Sequence, residues 1–93
     1  MDLQTQLLLE KAASLLKKAG ARDVFVFGSV TKNAFTETSD IDIAVSGLPA
    51  QVFFRLLGQI EDILRRPVDL IDLDEQTPFT KYLQEEGELR RVG

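Results

Sequence analysis

An α+β fold, a small mixed sheet of three to four strands flanked by helices, follows from three features of this 93-residue chain. Short runs rich in β-branched and aromatic residues occur at 23–27, 41–45 and 68–73. Helical periodicity occupies the stretches before, between and after them. No repeat, low-complexity tract or long linker divides the chain, so residues 1–93 form a single domain.

The elements follow in order. From Leu3 to Ala19, the residues Leu8, Ala12, Leu15, Leu16 and Ala19 recur at helical spacing, and Gly20 stands where a C-terminal cap belongs. Asp23-Val24-Phe25-Val26-Phe27 is a buried strand that stops at Gly28. After a polar linker, Ile41-Asp42-Ile43-Ala44-Val45 alternates with the period of a strand with two different faces. Pro49 opens a helix with a stripe of Val52, Phe53, Leu56, Leu57, Ile60 and Leu64, ended before Pro67. Val68 to Leu73 is the third strand, and Thr77-Pro78 caps and starts a last helix through Phe79, Tyr82 and Leu83 to Gly87. The charged end, with Arg90 and Arg91, is expected to fray as a solvated tail. Phe35, Phe54 and Phe79 are assigned to core packing rather than to a partner surface.

Composition narrows the chemistry. A hydrophobic share of 44% with 28% charged residues is that of a globular chain, and no apolar run reaches the ~18 residues of a membrane span. The N-terminus lacks the pattern of a signal peptide, which predicts a cytoplasmic protein. With no cysteine and no histidine, disulfides, thiolate nucleophiles, histidine bases and nitrogen- or sulfur-ligated zinc are excluded. Any metal must be held by oxygen, which favours magnesium. A net charge of −4 argues against a duplex nucleic acid partner. It leaves room for a small anion that arrives with its own magnesium.

The acids in the strands carry that possibility. On a strand, Asp40 and Asp42 point to one face while Ile41 and Ile43 point to the core. Two carboxylates on one face stand either in solvent or around a cation. Asp69, in the apolar run Val68-Asp69-Leu70-Ile71, is an awkward place for an unpaired charge. If its strand lies beside the one with Asp42, three carboxylates converge as an oxygen-only site for one or two magnesium ions. At Gly28-Ser29 the backbone can approach a phosphate and donate amides to it, although the same pair can simply end a strand and cap a short helix. Asp72 and Asp74, where the third strand runs into turn residues, are assigned to loop and capping roles.

Taken together, Gly28-Ser29, then after ten intervening residues Asp40-Ile41-Asp42, and later Val68-Asp69-Leu70 resemble the minimal nucleotidyltransferases (MNT) of the polymerase-β-like superfamily, over nearly the whole chain. The resemblance implies transfer of a nucleoside monophosphate from a triphosphate, with AMP from ATP expected, and with magnesium and release of pyrophosphate. It implies that Gly28, Ser29 and Lys32 hold the triphosphate and that Asp40 and Asp42 bind magnesium. Asp69 is implied as a third ligand that also activates the acceptor hydroxyl. The chain departs from the family where Val30, Thr31, Lys32 and Asn33 replace the common arginine, alanine, basic residue and glycine. Lys32 keeps one positive charge.

The resemblance further implies a helical HEPN toxin as partner, neutralised by AMP transfer to one of its tyrosines. The alternative is a weak or inactive binding subunit that neutralises or regulates the HEPN protein by contact. A chain this short has no separate domain to enclose base or acceptor, so a partner subunit or an oligomer is expected to complete the walls.

Overall fold

The computed structural model describes residues 2–31 and 40–93. Lys32, Asn33 and Phe35 lie outside them. In chain order the elements are α1 (Leu3–Lys18), β1 (Asp23–Phe27), a one-turn 3-10 helix (Gly28–Thr31), β2 (Ile41–Ser46), α2 (Ala50–Leu64), β3 (Val68–Asp72), α3 (Pro78–Glu85) and β4 (Arg90–Arg91). Among the described residues no helix is long and apolar enough to cross a membrane.

Local chemistry sets the helix ends. Asp2 accepts a hydrogen bond from the Thr5 amide at 2.6 Å and caps α1, and Gly20 turns the chain just beyond the cap residue Ala19 with φ of 123°. Pro49 stands at the N-cap of α2, and Arg65 closes that helix in the left-handed conformation. Thr77 and Thr80 form a reciprocal capping box at α3, the Thr80 amide donating to Thr77 Oγ1 at 3.1 Å and the Thr77 amide to Thr80 Oγ1 at 3.0 Å.

The strands form one sheet in the order β3-β2-β1-β4. β1 runs antiparallel to β2 and β4, while β2 and β3 are parallel. A parallel pair cannot be joined by a tight turn, and α2 supplies the crossover. Strand alternation then divides the side chains between two faces. Val24, Val26, Ile41, Ile43, Val45, Val68 and Leu70 face Leu9, Ala12, Leu16, Leu56 and Ile60 of α1 and α2 in the main core. Burying each large aliphatic side chain there contributes roughly 1.5–3 kcal/mol before the entropy of ordering the chain is counted.

The opposite face is only partly covered. Leu83 of α3 packs there with Ala44 and Leu73, and Phe25, Phe27, Ile71 and Leu89 gather around them. That thinner covering leaves room for polar side chains on the same face.

Two expectations are corrected. The C-terminal tail does not fray: Arg90 and Arg91 pair with Val26 and Phe25 as the fourth strand, and the Val92 amide donates to the Val24 carbonyl at 2.9 Å. Arg91 pairs with Asp23 at 2.5 Å and its guanidinium lies 4.9 Å from the Phe25 ring centroid, so it is held in the strand while its side chain stays exposed, as expected of a solvated residue. Phe54 and Phe79 are not core residues either, being 80% and 48% exposed. In α2 the stripe of Leu56, Ile60 and Leu64 already fills the space over the sheet, and Phe54 faces away from it. The acids at the end of β3 serve the turn as expected: the Asp74 amide donates to Asp72 Oδ1 and Gly47 donates to Asp74 Oδ2.

Candidate active site

The site lies on the thinly covered face, at the end of the sheet where β1 gives way to Gly28. Asp42 is the second residue of β2 and is flanked in register by Phe27 of β1 and Asp69 of β3. Parallel neighbours in a sheet are ~4.8 Å apart, so the two aspartates stand side by side by construction. Both belong to the alternation that sends Ile41, Ile43, Val68 and Leu70 into the main core. Asp42 is half-buried and Asp69 exposed.

This placement perturbs Asp42. Its carboxyl is pushed up from 3.8 to about 6, first by burial, then by a hydrogen bond with Asp69 and by the negative charges of Asp69 and Asp40. No described cation enters that balance. At neutral pH the pair therefore holds more negative charge than its surroundings offset.

Gly28 closes one side of the site, and two constraints make glycine the residue that fits. Its φ of 73° lies in the left-handed region, and a β-carbon there would collide with Asp42 Oδ2. The backbone of the turn thus lies directly against the carboxylate. Thr31 Oγ1 donates to the Gly28 carbonyl at 2.7 Å and holds the turn closed, while Ser29 is half-exposed. Val30 is 1% exposed and belongs to the main core. Its apolar identity is thereby explained by packing rather than by the chemistry of the site.

The expected site residues are brought together unevenly. Asp42, Asp69 and Gly28 meet. Asp40 is exposed and acts on Asp42 through its charge, Ser29 lies on the adjoining turn, and Lys32 lies outside the described residues. Among the described residues, no group of three acidic side chains is placed so that it could hold a metal ion; the expected convergence of three carboxylates is seen only for the pair Asp42 and Asp69.

The donor set nevertheless fits a hard divalent cation. Every side-chain donor is an oxygen, and Asp42 and Asp69 stand in register with no described cation offsetting their charge. An open set of carboxylates, completed by water or by substrate phosphates, is the usual environment of magnesium.

The chain matches the family described as Polymerase beta, Nucleotidyltransferase over residues 10–89. It belongs to the polymerase-β nucleotidyltransferase family. Among the members it resembles is a Methanocaldococcus jannaschii protein named as a protein adenylyltransferase, 34% identical over 74 residues, covering 76% of this chain and 80% of that one. A solved structure described as a minimal nucleotidyltransferase superposes with a TM-score of 0.75 at 30% identity, covering 94% of both chains. A third, from the structure of a tri-AMPylated Shewanella oneidensis HEPN toxin in complex with its MNT antitoxin, superposes with a TM-score of 0.66 at 26% identity. That match covers 91% of this chain and 70% of that one.

As a minimal nucleotidyltransferase, the protein also carries features that sequence reasoning missed. The close fit of Gly28 against Asp42 could not be read from a glycine followed by serine. Phe27 and Phe79 meet edge to face with ring centroids 6.3 Å apart, which brings α3 to the border of the site. The signal available for the latter was the i, i+3 spacing of Phe79 and Tyr82, which places both on one face of α3.

Proposed function

We propose that the protein is a magnesium-dependent protein adenylyltransferase. It moves AMP from ATP onto a hydroxyl group, a tyrosine of a HEPN toxin partner, and so acts as an antitoxin. The observation that carries this reading is the in-register pair of Asp42 and Asp69 beside the Gly28 turn, with Asp42 held at a raised pKa and no described cation to neutralise it.

Asp40, Asp42 and Asp69 would hold the metal, in one or two ions. Bound there, magnesium neutralises charge on the triphosphate and polarises the α-phosphate. The chain's own groups do the rest. The Gly28–Ser29 backbone and the Ser29 hydroxyl donate to the phosphate tail, with Lys32 adding charge. Asp69, the more exposed of the central pair, accepts the proton of the acceptor hydroxyl as its oxygen attacks the α-phosphorus. The bond to the β-phosphate breaks and pyrophosphate leaves. Asp42 sits between the turn and Asp69 and sets their spacing.

The HEPN partner and the AMP group come from the AMPylated toxin complex that the chain resembles. The second reading, neutralisation by contact alone, draws support from the exposed Phe54 and Phe79.

Incubation with labelled ATP, magnesium and the HEPN protein tests the two. Label on the partner that disappears with Asp42→Ala supports transfer. Neutralisation that survives both Asp42→Ala and chelation of magnesium would replace it with the contact reading.

A further inference from the structure

We propose that the groove between α3 and the Gly28–Thr31 turn is the subsite for the nucleobase of the triphosphate, a stacking site built on Phe27, Phe79 and Tyr82. The proposal rests on the nucleotidyl-transfer reading above and adds where the nucleoside lies.

Three observations lead to it. The groove, of about 270 Å³, includes Gly28 and Thr31 on one element and Phe79, Tyr82 and Leu83 on the other. It is therefore continuous with the turn that packs against Asp42. Pockets that take a whole small ligand begin at about 300 Å³, so this one suits part of a nucleotide rather than all of it.

Second, its aromatic side chains are presented rather than buried. Leu83 anchors α3 on the sheet while Phe79 and Tyr82, one turn apart on the helix, are 48% and 54% exposed. The edge-to-face contact with Phe27 fixes the Phe79 ring, so a planar surface already stands beside the site before any ligand arrives. Stacking a base on such rings needs little ordering of the protein.

Third, Glu86 and Glu88 also line the groove. Two carboxylates repel a polyphosphate, which leaves the uncharged base and sugar as the part of the nucleotide that fits there. The triphosphate is then directed to Gly28 and Ser29.

Tyr82 is the chain's only tyrosine and there is no tryptophan, so intrinsic emission reports on this groove alone. The experiment compares ATP with inorganic tripolyphosphate, each with magnesium, on the full chain, with emission corrected for ligand absorbance against free tyrosine. The expected result is quenching of Tyr82 by ATP but not by tripolyphosphate, although both bind. Tyr82→Ala should weaken ATP ~10-fold or more and leave tripolyphosphate unchanged, while Tyr82→Phe retains ATP affinity. Circular dichroism confirms that the variants fold.

Equal affinity for ATP and tripolyphosphate, unchanged by Tyr82→Ala, overturns the subsite while the transfer reading stands. It would leave the aromatic groove to a protein partner. Failure of the unaltered protein to bind either ligand or to transfer label overturns both.

Discussion

Replacing Asp42 by asparagine should stabilise the metal-free protein while abolishing its chemistry. In the folded chain the Asp42 carboxyl titrates at about 6 against an ordinary value of 3.8. Folding therefore favours the protonated form, and the ionised form carries a cost wherever the pH lies above the folded value. The gap corresponds to ~3 kcal/mol. Because Asp42 is only half-buried, screening by solvent reduces this to ~1 kcal/mol. Asparagine removes the charge and can still donate an amide hydrogen to Asp69. In a domain of this size ~1 kcal/mol raises Tm by roughly 4–8 °C.

The pH dependence has a definite sign. The advantage of Asp42→Asn should be full at pH 7.5, decline as the pH falls through 6 and be mostly gone at pH 4, where native Asp42 is protonated. Thermal melts of both proteins in EDTA across that range measure it. Magnesium should raise the Tm of the unaltered protein and not that of the variant. A variant that melts lower at pH 7.5, or that keeps the same advantage at pH 4, would refute the account of the site as an over-charged carboxylate pair.

Other expectations concern the neighbours of Asp42. Gly28→Ala combines an unfavourable φ with a collision against Asp42 Oδ2, and urea denaturation should show a loss of ~1–3 kcal/mol together with impaired nucleotide binding. Asp69→Asn leaves the packing of β3 intact and should lower label transfer at least ~100-fold, while the melting temperature in EDTA is kept or raised, since the variant also removes a negative charge beside Asp42. Val30→Ala should cost ~1–3 kcal/mol in urea and leave affinity for ATP unchanged, since Val30 packs in the main core. A fall in ATP affinity without loss of stability would instead give Val30 a role at the phosphates.

Much of the architecture is legible in the chain because local signals agree with one another. The bounds of β1 coincide with the run Asp23–Phe27, since a β-branched and aromatic stretch ended by a glycine has few alternatives. The Thr77-Pro78 start of α3 is equally local, a capping box whose partners lie three residues apart. β4 was not legible in this way. Its two arginines have no strand-like pattern, and they pair because β1 offers an open edge and because Asp23 and Phe25 receive the Arg91 guanidinium.

The fates of the aromatic residues show the same limit. Phe53 and Phe54 are adjacent and chemically equal, yet Phe53 packs against the core while Phe54 is 80% exposed. Which of two neighbours turns inward depends on where α1 and the sheet stand around α2. Val30 was legible as a departure from its family, but its burial under the sheet was not.

For the site, residue types settle what chemistry is possible: without histidine or cysteine, and with Asp40 and Asp42 two residues apart at the start of β2, which begins at Ile41, only oxygen ligation remains. The convergence with Asp69 belongs to the folded molecule. It depends on β3 lying parallel to β2 in the register that pairs Asp42 with Asp69, and α2 alone supplies the crossover that makes that pairing. Strand period is a local property, written in every second residue, whereas register between strands distant in sequence exists only once the core between sheet and helices has formed.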